Sequence, residues 1–174
     1  MLVTLTPHPD TPSAVVDRIE VDVERREEFV WLRYVAYGEV GRVLWPEAAD
    51  PGRADELWRH TCFEAFAPTA DGGYREFNLS SSGNWASYRF DAYRAGMALA
   101  NERAEVLDVE ATEAWVSMEA LVEIPPGAVR IGLSAVIEDV DGNISYWALA
   151  HAPGKPDFHH PDSFALVLPA PELP

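Results

Sequence analysis

This sequence predicts an all-β fold: a two-sheet antiparallel β-sandwich with little helix. Three observations lead there. Segments with apolar residues at every second position recur along the chain, which is the period of a half-buried strand. Glycine, proline, asparagine and aspartate clusters separate them at strand-length intervals. Helical periodicity is weak throughout, and only Asp91–Asn101 leaves a short helix open. Many short strands joined by turns bury their apolar faces most readily as packed sheets.

The first alternating segment is Ala14–Glu24, with Val15, Ile19, Val21 and Val23 set against Arg18, Glu20 and Asp22. A charged turn, Arg25–Glu28, leads to the aromatic-rich Phe29–Tyr37, and Arg42–Trp45 is expected as a short third strand. Pro46–Glu56 carries prolines and acids and reads as a long loop, with one helical turn near Ala54–Leu57. Beyond the middle of the chain, Glu105–Thr112 and Trp115–Ile124 continue the pattern. Val116, Met118, Ala120, Val122 and Ile124 form the apolar face of the latter, ended by Pro125-Pro126. Ile131, Leu133, Ala135 and Ile137 precede Asp141-Gly142, a favoured two-residue turn pair. That turn would place Ile137 opposite Tyr146 and Val136 opposite Trp147, with Trp147 away from the more apolar side. Ser163–Leu168 closes the set before a Pro-rich tail.

The densest chemistry lies in Leu57–Arg94. Tyr74–Ser80 alternates Phe77 and Leu79 with Glu76, Asn78 and Ser80, and Trp85–Asp91 alternates Ala86, Tyr88 and Phe90 with Trp85, Ser87 and Arg89. A two-residue turn at Ser82-Gly83 would pair Ser80 with Trp85, Asn78 with Ser87 and Glu76 with Arg89. The apolar residues then share one face and opposite charges stand side by side. In the preceding segment, His60–Ala67, Glu64 shares a face with Cys62 and Phe66. A carboxylate among apolar groups needs a partner, and Arg59 is a candidate.

The runs LWRHTCFEAF, YREFNLSSSGNWASYRFDAYR and YWALAHAPGKPDFHHPD resemble the DOMON-like β-sandwich proteins related to family 9 carbohydrate-binding modules, in particular small stand-alone bacterial members. The resemblance covers about Ile19 to Leu168. In the sugar-binding modules an aromatic residue precedes the strand's glutamate, and the ligand sits between two aromatic rings. Trp58 and Glu64 match that pattern, while Phe158, Trp147 and Trp85 are all candidates for the second ring. The resemblance implies a jelly-roll or immunoglobulin-like sandwich that binds sugars, binds haem or has no known ligand.

Composition sets bounds. The chain has 174 residues, enough for one domain with a normal core spanning about residues 14–168. A net charge of −16 argues against nucleic acid and anionic membrane as partners. The single cysteine, Cys62, excludes an intramolecular disulfide. Met1–Ala14 has no basic and apolar leader pattern, so a cytoplasmic location is the expectation. Oligomeric state is not legible.

The leading expectation is a non-catalytic module for a carbohydrate or other small polar ligand, without cofactor or metal. Trp58 and a second ring would stack on the sugar, and Glu64, Glu76, Asn78 and Arg89 would meet its hydroxyls, with Arg59 nearby. An interaction or structural protein without a small ligand is the alternative. A haem protein would draw on Met97, Met118, His60 or His151, but no Met/His motif aligns. An enzyme would use Glu64 and Glu76 as an acid–base pair. In Ala152–Asp162, His159 and His160 with Asp157 and Asp162 could ligate a metal, but adjacent histidines lack the i, i+4 spacing of a zincin. That loop is expected to clasp the fold instead.

Overall fold

The alternating segments form strands, and in the computed structural model, which describes residues 1–170, thirteen are found. In chain order they are β1 (Leu2–Pro7), β2 (Val16–Arg26), β3 (Phe29–Gly38), β4 (Gly52–Arg53), β5 (Cys62–Pro68) and β6 (Tyr74–Leu79). There follow β7 (Asn84–Phe90), β8 (Ala98–Leu99), β9 (Ala104–Ala111), β10 (Trp115–Glu123), β11 (Arg130–Glu138), β12 (Ile144–Ala148) and β13 (Leu166–Val167). Among the described residues the helical content is three short 3-10 turns, at Val40–Arg42, Leu57–Arg59 and Pro161–Ser163. Two local expectations change. Arg42–Trp45 is not a strand beyond the single bridge of Val43 to Asp139, and the helical turn falls on Leu57–Arg59.

The expected two-sheet sandwich is overturned. The strands form one continuous hydrogen-bonded path, β4-β7-β6-β5-β11-β12-β1-β2-β3-β10-β9, with β8 and β13 attached at its side. The joint is β1, a strand that the sequence reading had not placed. Its first half, Leu2–Leu5, pairs antiparallel with β2, and its end, Thr6 and Pro7, pairs with β12. Both edges that a sandwich would leave open are therefore bonded to the same strand. At the far ends of the path β7 packs against β9, and β4 lies parallel to β7. The result is a nearly closed, barrel-like mixed sheet.

The apolar faces read from β2, β10 and β11 do point inward. Ile19, Val21, Val23, Met118, Ala120, Val122, Ile131, Leu133, Ala135 and Ile137 belong to one buried cluster with Val30, Leu32 and Tyr34 of β3. Phe63 and Ala65 of β5 and Phe77 and Leu79 of β6 complete it.

Both hairpins expected to turn on two residues turn on three. In the β6–β7 hairpin Leu79 pairs with Trp85 and Glu76 with Tyr88. The Ser80 N–H donates to the Asn84 carbonyl, the Ser80 carbonyl accepts from the Gly83 N–H, and Gly83 has φ +91°. In the β11–β12 hairpin Val136 pairs with Tyr146 and Ala135 with Trp147, around a loop in which Gly142 has φ +80°. This is the turn-plus-left-handed-residue geometry of three-residue hairpins. A side chain at the loop's entrance holds each one. The Ser80 hydroxyl accepts from the Ser82 N–H, and the Asp139 carboxylate accepts from the N–H groups of Asp141 and Asn143.

One residue of register inverts every side chain on the shifted strand. Glu76 is therefore not beside Arg89, which faces Arg75 across the ladder and pairs with Asp91 at 2.9 Å. Ala86, Tyr88 and Phe90 lie with Glu76 and Asn78, not with Phe77 and Leu79. Trp147, expected on the less apolar side, is in the core at 2% exposure, its indole N–H donating to the Ser145 hydroxyl at 3.0 Å.

The loop geometry can be tested at Gly142, where an added Cβ would meet nothing within 4 Å. Gly142→Ala should thus cost only the left-handed strain, about 1–2 kcal/mol in denaturant unfolding. Gly142→Asn should cost less. An equal or smaller loss for alanine would mean that the loop does not depend on this conformation.

Candidate functional site

The outer face of β7-β6-β5-β11-β12 is not solvated. It carries a second apolar cluster of Phe66, Tyr74, Ala86, Tyr88, Phe90, Val136, Ala148, Phe158 and Phe164. Strands β5 and β6 are thus covered on both sides, which is why their polar residues are buried. Three residues of this face form a row across neighbouring strands: Asn78 stands opposite Glu64, and Glu64 opposite Ser134. Glu76 is two residues from Asn78 on the same side.

Two chain segments rise over this floor and leave a cleft of about 630 Å³ between them. That is within the usual range for a small-ligand site. The 3-10 turn before β5 brings Trp58, whose ring meets Tyr88 edge-on at 5.6 Å. The loop after β12 brings Phe158, whose ring meets Tyr146 edge-on at 5.9 Å. Tyr88 is on β7 and Tyr146 on β12, with β6, β5 and β11 between them. The two rings therefore enter from opposite edges, with Glu64 and Glu76 on the floor between them. Arg94, Lys155, Met97 and His159 also line the cleft.

The floor carboxyls are 3% and 4% exposed. Glu64 accepts from the Ser134 hydroxyl at 3.2 Å, and burial followed by the neighbouring Glu76 pushes its pKa well above the carboxylate range. Glu76 Oε1 accepts from the Asn78 side-chain amide at 2.8 Å, and burial lifts Glu76 to about 7. Its other oxygen, Oε2, is buried with no hydrogen-bond partner among the described residues. The nearest cationic candidate is His159 Nε2 at 3.8 Å. This is not an ion pair, because burial lowers His159 to about 4 and leaves the ring neutral at pH 7.

The ring's tautomer follows from its other nitrogen. Tyr74 Oη accepts from the Arg94 backbone N–H at 3.2 Å, so its own proton is free to go to His159 Nδ1 at 2.8 Å. When the Tyr74 hydroxyl donates to Nδ1, the neutral imidazole carries its hydrogen on Nε2. His159 Nε2 and the unpartnered Glu76 Oε2 thus face each other at the cleft, too far apart at 3.8 Å for a hydrogen bond.

The residues singled out from the sequence divide into two groups. Trp58, Glu64, Glu76 and Phe158 line the cleft, and Asn78 orients Glu76 from the buried floor. Arg59 is exposed and pairs with Glu56 at 2.7 Å, not with Glu64. Arg89 is exposed on the far side of the shifted register. Trp85 packs toward the interior with the Arg53 guanidinium 4.7 Å from its ring centre, and Trp147 is core. Tyr146 and His159 are not among the binding residues expected from the sequence, where His159 belongs to a loop expected to clasp the fold. Its one available signal was the density of proline and polar groups in residues 152–162. That loop holds itself by side-chain bonds: Asp157 pairs with Arg94 at 2.8 Å and accepts from Tyr93, and His160 accepts from the Asp162 N–H.

The other candidates have local roles. Met118 is core, His151 bonds the Thr6 carbonyl, and His60 meets Glu138 at 2.8 Å. Cys62 is buried and its thiol is pushed up by that burial. Among the described residues no group of three His, Cys, Asp or Glu is placed to hold a metal ion, and no helix is long and apolar enough to cross a membrane.

No protein-family model matches the chain, and no curated protein does. A solved structure does match: a candidate carbohydrate-binding protein from Bacteroides uniformis, with a TM-score of 0.63 at 17% identity. The alignment covers 94% of this chain and 84% of the other. At that identity the likeness establishes a shared fold.

The buried carboxyl sets a pH dependence whose sign is fixed. A Glu76 pKa raised in the folded state means that the native protein holds a proton which the unfolded chain loses near pH 4.5. Stability from this group therefore falls as pH rises from about 4.5 to 7 and is lowest above that window. Glu76→Gln should accordingly gain thermal stability relative to wild type on going from pH 5 to pH 8. A difference in melting temperature that stays constant with pH would mean that Glu76 ionises normally.

Proposed function

We propose that this protein is a non-catalytic module that binds a small polar ligand, specifically a carbohydrate, in the cleft between Trp58 and Phe158. The observation that carries the reading is Glu76 Oε2, buried without a hydrogen-bond partner among the described residues, with His159 Nε2 3.8 Å from it. A buried acceptor without a partner costs roughly 1–3 kcal/mol. A ligand hydroxyl corrects this at both ends, since it can accept from Nε2–H and donate to Oε2. Glu64 and Asn78 add further polar atoms beside it.

The walls suit the same ligand. A pyranose has apolar C–H faces and a polar rim, and aromatic rings entering from two sides can cover the faces while the floor meets the rim. The fold likeness to a candidate carbohydrate-binding protein is consistent with this reading, as is the resemblance to DOMON-like and family 9 carbohydrate-binding modules. Trp58, Glu64 and Phe158 take the parts that this resemblance implies, and Glu76, Asn78 and His159 complete the hydroxyl-binding floor. Arg59, Arg89, Trp85 and Trp147 have no part in it.

Isothermal calorimetry with a panel of mono- and disaccharides tests the proposal. Trp58→Ala should weaken binding of the best sugar at least tenfold, the loss expected of an aromatic anchor. Its circular dichroism should stay native, because the ring is only half-buried. Equal affinity in wild type and variant would remove Trp58 from the site, and no binding by any sugar would overturn the carbohydrate reading.

A further inference from the structure

The mouth of the cleft differs chemically from its floor. The sequence contains one lysine, Lys155, in a chain of net charge −16, and that lysine lines this cleft. It is exposed and makes no ion pair among the described residues. Arg94 lines the same cleft, held by Asp157 at 2.8 Å and by its place in the loop that supports Tyr74. A bridged guanidinium still has N–H groups to offer a second acceptor.

The overall charge alone argues against an anionic ligand, but the local charges do not. The titratable groups facing Glu76 are Glu64 and Cys62 from β5, Tyr74 from its own strand, Tyr88 from β7, and Arg94 and His159 from the covering segments. Burial raises Glu64, Cys62, Tyr74 and Tyr88, leaves His159 uncharged and lifts Glu76 to about 7. The floor therefore presents far less negative charge than its carboxyl content implies. The positive group without a counter-charge is Lys155, at the rim.

Building on the carbohydrate reading, we infer that the preferred ligand is a monosaccharide bearing one anionic substituent, a phosphate or a carboxylate. Its hydroxyls meet Glu76, His159 and Glu64, and its anion lies at the mouth against Lys155 and Arg94. A floor whose burial suppresses carboxylate charge and a cationic rim select such a ligand over its uncharged parent. An exposed ammonium adds a modest, salt-sensitive contribution.

The test is calorimetry at pH 7 with glucose, galactose and mannose, their 6-phosphates and the matching uronic acids. At least one phosphate or uronate should bind about three- to tenfold tighter than its parent sugar, and the two arms tell phosphate from carboxylate. The advantage should shrink when salt is raised from about 0.05 to about 0.5 M, where the screening length falls to a few ångströms. In Lys155→Gln the ratio of derivative to parent affinity should fall toward one. Parent sugars that bind as well as their derivatives would overturn this inference and leave the carbohydrate reading standing. So would a preference that survives Lys155→Gln. Binding by no member of the panel would overturn both.

Discussion

Two three-residue hairpin loops decide which side chains become core and which face the cleft. Each carries a glycine with positive φ, Gly83 or Gly142, and each is held by the side chain at its entrance, Ser80 or Asp139. Because side chains alternate along a strand, the register set there controls everything downstream. Shifted by one residue, the β6–β7 hairpin turns Tyr88 and Phe90 onto the outer face beside Glu76. The β11–β12 hairpin sends Trp147 into the core and Tyr146 to the cleft. The aromatic support for Trp58 and Phe158 exists only in this register.

The cleft is a consequence of covering a sheet on both sides. The interior of the barrel-like sheet is filled by aliphatic and aromatic groups, as binary patterning demands. The outer face is also packed, by Phe158, Phe164 and the loop that bears them, and this removes water from Glu64 and Glu76. Desolvation raises both carboxyls, with the proximity of Glu76 adding to the shift of Glu64. Ser134 and Asn78 each supply one hydrogen bond, which leaves Glu76 Oε2 unsatisfied. A floor that is buried and leaves Glu76 Oε2 without a partner is suited to receive a ligand hydroxyl.

The clasp that makes the site also holds it together. Asp157 pairs with Arg94, accepts from Tyr93 and caps the His159 N–H at 3.1 Å. Tyr74 links the Arg94 backbone to the His159 ring. The loop after β12 is thereby tied to the segment after β7, two parts of the chain that lie at opposite edges of the floor. These ties set the width of the cleft, so the positions of Lys155 and Phe158 depend on contacts outside the sheet.

Strand content, the inward faces of β2, β10 and β11, and the concentration of site chemistry between Leu57 and Arg94 were all legible in the sequence. Each depends on local periodicity, and one apolar face per strand suffices to reveal it. The sequence offered nine candidates, Trp58, Arg59, Glu64, Glu76, Asn78, Trp85, Arg89, Trp147 and Phe158, of which Trp58, Glu64, Glu76 and Phe158 line the cleft, with Asn78 beneath it. Closure of the sheet was not legible, because β1 pairs on both edges and nothing in Leu2–Pro7 announces two partners. Register was not legible either. Ser82-Gly83 and Asp141-Gly142 suit two- and three-residue loops alike, and β6 has buried residues on both faces, so alternation no longer marks inside from outside. The exclusion of Arg59 and Arg89, and the entry of His159, Tyr146, Arg94 and Lys155, were decided by tertiary structure. Those residues meet only because the loops fold back over a face whose register was set elsewhere.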